Sequence, residues 1–156
     1  MPFDRHVVDF SWLLAHGVAL TADRLRSSFR MSTVPPDFFC GAPLETAGHL
    51  FFECPLAQSV LAWVQSLLTL AVPSAPSLCL RHVLFGFDTA ESAVVPLVFS
   101  YLLNLAKHRI WLARNDFRFR DQLPSAIDVI AAVRSQASFV LKLWFPKCAR
   151  RFFIKQ

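Results

Sequence analysis

At 156 residues, with 54% hydrophobic and only 17% charged residues, the chain is long enough for one buried core and too apolar to be disordered. The net charge of +5 is unevenly spread: residues 1–104 carry five Lys/Arg against eight Asp/Glu, net −3, and residues 105–156 carry eleven against three, net +8. A basic field concentrated in one part of a chain suits a polyanionic partner.

Four glycines in the whole chain argue against an all-β fold with its many tight turns, so helices should dominate. The opening residues, MPFDRHVVDFSW, place charges where a signal peptide needs an apolar run, which implies a nuclear or cytoplasmic protein. Phe10, Leu13, Leu14 and Val18 recur at helical intervals, predicting a helix over 8–18 with Gly17 as its stop. Thr21 is placed to cap a short second helix. MSTVPPDFF then interrupts helicity with two prolines. Pro55 suits the first turn of a helix with Leu56, Val60, Trp63 and Leu67 on one side, ended by PSAPS at 73–77. A short helical segment precedes Gly86, and Ser92–Asn115 reads as the longest helix, with Pro96 near its start. Its most apolar part, residues 93–106, runs straight into Lys107, His108 and Arg109. That falls short of the ~20 apolar residues a membrane span requires. Ser125 and Asp128 open a last helix, closed by Pro146.

Chemistry concentrates in CGAPLETAGHLFFECP, residues 40–55. Cys40, with Gly41 and Pro43 to form a turn, is followed by His49 and Cys54, three soft ligands within one short segment. A structural zinc site normally has four, and the partner of Cys40 is expected two or three positions upstream. No disulfide is expected in a reducing compartment. The architecture that follows is mainly α: one domain spanning 1–156, five or six helices, an irregular zinc-knuckle-like insert at 37–55, and a basic helical region at 92–156.

The stretch FFCGAPLETAGHLFFECPLAQSVLAW resembles the zinc-binding domain that follows the reverse transcriptase in non-LTR retrotransposon (LINE-type) polyproteins. That family reads C-x-x-C-G, an acidic-Thr pair, H-L-F-x-x-C-P and a later Trp, matched by Cys40, Gly41, Glu45, Thr46, His49, Leu50, Phe51, Cys54, Pro55 and Trp63. FSWLLAHGVALTADRL upstream and NLAKHRIWLARNDFRF downstream are similar to the flanks of such domains. The resemblance implies zinc as cofactor, contact with RNA template or target DNA, and a reverse transcriptase domain of the parent element as a partner. It also exposes a departure: the first family cysteine falls at Asp37 or Phe38. Asp37 could supply a carboxylate ligand and Phe38 none, so the site is either Cys40, His49 and Cys54 completed by Asp37 or water, or a degenerate, metal-free relict. Cys79 and His82 lie three apart and could meet on a helical face, as a substitute ligand or as an ordinary buried pair.

In KHRIWLARNDFRFRDQ, Arg109, Arg114, Arg118 and Arg120 interleave with Phe117 and Phe119, offering guanidinium contacts to phosphate and rings for base stacking. The plainer reading makes Ile110, Trp111 and Phe117 core positions with the arginines on a solvated face. No paired-aspartate polymerase turn, phosphate-cradling Gly-rich loop or nucleophile elbow occurs, so the expectation is a non-enzymatic binding domain without a small-molecule substrate. The competing expectation is a metal-free helical remnant that serves as a structural or protein-interaction module.

Overall fold

The computed structural model describes residues 4–31 and 40–144, with side chains described through residue 140. Seven α-helices and one π-helical turn follow in order: α1 Arg5–Ala15, α2 Ala22–Phe29, the π-turn His49–Glu53, α3 Pro55–Ala71, α4 Leu80–Phe85, α5 Thr89–Val94, α6 Leu97–Arg120 and α7 Ala126–Trp144. No strand occurs among the described residues, so the fold is mainly α, as expected.

Local chemistry accounts for most boundaries. Asp4, which the periodicity did not single out, caps α1 by accepting the His6 backbone N–H at 3.0 Å, and the helix buries Val7, Phe10 and Leu14. It ends just before Gly17, whose φ of +65° is a left-handed conformation that glycine adopts without steric cost. Thr21 caps α2 by accepting from Arg24 N at 3.4 Å. Pro55 opens α3, and Ser125 Oγ accepts from Ile127 N at 3.2 Å at the start of α7. The prolines of MSTVPPDFF and the Pro146 stop lie outside the described residues.

Two expectations are corrected. Ser92–Asn115 is not one helix: Val95 is extended at φ −83°, ψ 115°, and Pro96 stands at the N-cap of α6, separating it from α5. A proline disfavours the α conformation of the residue before it, and that steric effect prevails over the continuous apolar pattern. In α3 the buried stripe is Ala57, Val60, Leu61, Val64 and Leu68, while Leu56, Trp63 and Leu67 are only half-buried at its margin. The stripe is displaced and wide because α3 packs against α6, α7 and the π-turn together.

Helix α6 is the axis of the molecule, touching α1, α3, α4 and α7. Leu103, Leu105, Ala106 and Ile110 bury fully from it, joining Val7, Leu50, Phe51, Val64, Leu68, Val83 and Val133 in one continuous core. Each large side chain so removed from water contributes about 1.5–3 kcal/mol. The rings of Phe10, Phe51 and Trp111 meet at centroid distances of 5.6–6.4 Å, which fastens the π-turn to α1 and α6. No helix among the described residues is long and apolar enough to cross a membrane.

Lys107 is buried beside this core. It is 1% exposed, and burial lowers its ammonium from 10.5 to about 8. The unfolded chain therefore holds the extra proton between about pH 8 and 10.5, and this residue's contribution to stability rises across that window and is lost as pH falls through 8. Lys107→Met should stabilise the fold by about 1–3 kcal/mol at pH 7 in chemical denaturation, the advantage shrinking toward about pH 10. An unchanged difference across that range would remove Lys107 as its source.

Candidate metal centre

The segment between α2 and α3 carries the chemistry. Its description resumes at Cys40, followed by Gly41 at φ +72°, a left-handed turn conformation that glycine tolerates. Glu45 is buried, and Thr46 Oγ1 accepts the His49 backbone N–H at 3.0 Å, opening the π-turn. Leu50 and Phe51, both 0% exposed, drive that turn into the core.

The turn type matters for the ligands. In an α-helix, residues five apart point about 140° away from one another. Here the Cys54 N–H donates to the His49 carbonyl at 2.8 Å, the i to i+5 bond of a π-turn, which widens the backbone and brings residues 49 and 54 toward the same side. Cys40 Sγ lies 3.1 Å from His49 Nε2, and the ligand atoms of Cys40, His49 and Cys54 all fall within 4.8 Å of one another. A tetrahedral zinc with ordinary bond lengths places sulfur and nitrogen ligands about 3.6 Å apart and two sulfurs about 3.8 Å apart. The donor set and its spacing therefore fit a zinc ion. His49 turns its other nitrogen, Nδ1, toward Glu53 at 3.7 Å, the side on which a carboxylate orients a metal-bound imidazole. Cys54 is fully buried and Cys40 exposed, so the group lies where the core meets the surface. Asp37 and Phe38, the candidates for the fourth position, lie outside the described residues.

What holds the segment in place is an ion pair that sequence reasoning missed. Glu45, 3% exposed, accepts from Arg114 Nε at 2.9 Å and from Arg114 Nη2, and its Oε1 also accepts the Ala22 backbone N–H at 3.0 Å. The Glu45 carbonyl accepts the Asp23 N–H at 3.1 Å. Arg114 is 5% exposed, stacked 4.9 Å over the Trp111 ring and bonded to Asn115 Oδ1. A bidentate carboxylate–guanidinium pair whose third nitrogen also finds an acceptor is a form in which a buried ion pair is tolerated. The acidic-Thr pair thus does two separate jobs: Glu45 joins the segment to α2 and α6, and Thr46 starts the π-turn. A buried glutamate facing an arginine 69 positions away leaves no pattern in a single sequence.

The four candidate arginines are dispersed rather than gathered. Arg114 is buried, which corrects its expected place on a solvated face. Arg109 donates to Gln136 Oε1, and Gln136 in turn donates to Asp4, so it ties α6 to α7 and α1. Arg118 is half-buried beside Phe119, and Arg120 pairs with Asp116 at 2.9 Å on the surface. Cys79 and His82 do meet, at 3.3 Å, but they are not members of the Cys40, His49 and Cys54 group.

Residues 3–63 match the family model described as zinc-binding in reverse transcriptase. That stretch runs from α1 to the Trp63 turn of α3 and contains all three candidate ligands, and the family it matches is a zinc-binding accessory domain rather than a catalytic one. No curated protein and no solved structure matches the chain.

Removing one partner of the buried pair should be costly. Glu45→Ala is expected to lose about 3–5 kcal/mol, because it leaves a buried guanidinium uncompensated. The double variant Glu45→Leu with Arg114→Met should recover much of that loss. Urea unfolding of the unmodified chain, Glu45→Ala, Glu45→Leu, Arg114→Met and the double variant checks it, and purely additive losses would show that the two residues do not act as a pair.

Proposed function

We propose that the chain is the accessory domain of a retrotransposon reverse transcriptase, acting by binding rather than catalysis, with zinc held by Cys40, His49 and Cys54 and nucleic acid, RNA template or target DNA, as its partner. The observation that carries this reading is the Cys40, His49 and Cys54 group, brought within 4.8 Å inside a segment that matches the zinc-binding family. Asp37 or water completes the fourth position. Zinc bound there would cross-link the turn at Cys40 to the π-turn.

Of the arginines, Arg118 and Arg120 are the ones left to meet phosphate. They flank Phe119, which is 75% exposed at the end of α6 with the Arg118 guanidinium 6.0 Å from its ring. A solvent-facing ring between two cations is the arrangement that stacks a base while neutralising its phosphates. Arg109 and Arg114, bonded to Gln136 and Glu45, act by holding the helices that present this end.

A second reading, an interaction module for a protein such as the parent polymerase domain, is favoured by Val8, Trp12 and Leu13, large apolar side chains exposed along α1. Salt separates the two. Binding of a single-stranded RNA oligonucleotide should weaken steeply with salt, and Arg118→Ala with Arg120→Ala should flatten the log–log slope by roughly 1.5. Phe119→Ala should cost about 1–3 kcal/mol of affinity. Affinity indifferent to salt and to all three substitutions would exclude this nucleic-acid surface and favour the apolar face of α1.

A further inference from the structure

A second cluster of reactive side chains lies around α4 and α5, separate from the metal-ligand group. Cys79 is exposed, and its Sγ lies 3.3 Å from Nδ1 of His82, which is 3% exposed. On the other side of the ring, His82 Nε2 lies 2.8 Å from Glu91 Oε1. The three side chains form a line: thiol, imidazole, carboxylate. Because the thiol and the carboxylate face opposite nitrogens of one ring, a single ion cannot be held by all three.

The surroundings fix the direction of proton flow along that line. Glu91 Oε2 accepts the Asp88 backbone N–H at 3.0 Å and Oε1 meets Arg81 Nη2 at 2.7 Å. The Asp88 N–H first, then Arg81 and His82, hold the Glu91 carboxyl down at about 2, so it is a permanent acceptor. Nε2 donates to that carboxylate, with Arg81 Nη2 2.9 Å from the same nitrogen, and Nδ1, which accepts the Cys79 backbone N–H, is the nitrogen that faces residue 79. The Cys79 backbone N–H reaches the same nitrogen at 3.1 Å and fixes the ring's orientation, while the Phe87 ring packs 5.1 Å from it. The His82 backbone N–H donates to Cys79 Sγ, a bond that strengthens when the sulfur is anionic. The charged groups around the imidazole are Arg81, Asp88 and Glu91.

We propose that Cys79, His82 and Glu91 form a thiol-activating relay, and that Cys79 is a covalent modification site for small-molecule disulfides. The Cys79 proton passes to His82 Nδ1 as Sγ attacks one sulfur of the disulfide. A new S–S bond to Cys79 forms while the original one breaks, and the departing thiolate takes the proton from His82. Cys79 is oxidised to a mixed disulfide, and half of the incoming disulfide is reduced to a thiol. His82 is the base and Glu91 the positioning residue that sets its tautomer. The inference stands apart from the zinc and nucleic-acid readings, since it uses none of their residues.

The test is the rate of mixed-disulfide formation between the full chain and oxidised glutathione, resolved at the Cys79 peptide by mass spectrometry so that other cysteines do not contribute. An ordinary thiol with a pKa near 8.5 slows roughly 75-fold between about pH 8 and pH 6. Cys79 should slow less than about tenfold over that range, and Glu91→Gln, which keeps the shape but not the charge, should restore the steep profile. His82→Gln should do the same. The unmodified chain showing the ordinary profile overturns the proposal without reliance on any variant. So does a shallow profile that Glu91→Gln and His82→Gln leave unchanged while circular dichroism reports the native helix content.

Discussion

Glu45 and Arg114 form a bidentate ion pair sealed from solvent, and most of what is distinctive about this molecule is arranged around it. One carboxylate receives the guanidinium of the central helix and the first backbone N–H of α2, while the Glu45 carbonyl receives the second. The loop between α2 and α3 is thereby pinned at its middle, four residues before His49. Two charges taken out of water contribute little net stability, but their geometry is exacting: only one placement of the loop satisfies both. The pair therefore acts mainly on position, and the position it sets is that of the residues 40–54 segment against α6.

From that anchor the ligand geometry follows in short steps. Thr46 starts a turn, Leu50 and Phe51 fasten it to the rings of Phe10 and Trp111, and the i to i+5 bond at Cys54 widens it enough to present His49 and Cys54 together. Cys40 then approaches from the glycine turn. An H-x4-C spacing on an ordinary α-helix would diverge, so the π-turn is the backbone solution that this spacing requires. The metal would close the one side of the loop that neither the ion pair nor the aromatic rings hold.

Much of this was legible from residue types with local consequences. Thr21, Pro55 and Ser125 marked helix starts because capping and proline sterics act within a few residues, and Cys40, His49 and Cys54 stood out because soft ligands at close spacing are rare by chance. Most of the misses share a cause, which is that they depend on partners distant in sequence. Arg114 and Arg109 read as surface cations because nothing nearby reveals Glu45 or Gln136. The α3 stripe was displaced because three elements, not one, pack on that helix. Pro96 was a local signal, but the apolar run around it was given too much weight. Cys79 and His82 were recognised as neighbours, yet Glu91, which gives the pair its chemistry, lies on the next helix.

The most direct measurement is X-ray absorption at the zinc edge on the purified full chain, with metal content determined on the same sample. The account predicts one zinc per chain with two sulfur scatterers at about 2.3 Å and the remaining shell of nitrogen and oxygen, lost together in Cys40→Ser and His49→Ala. A folded chain that takes up no zinc, or zinc that survives both substitutions, would contradict it.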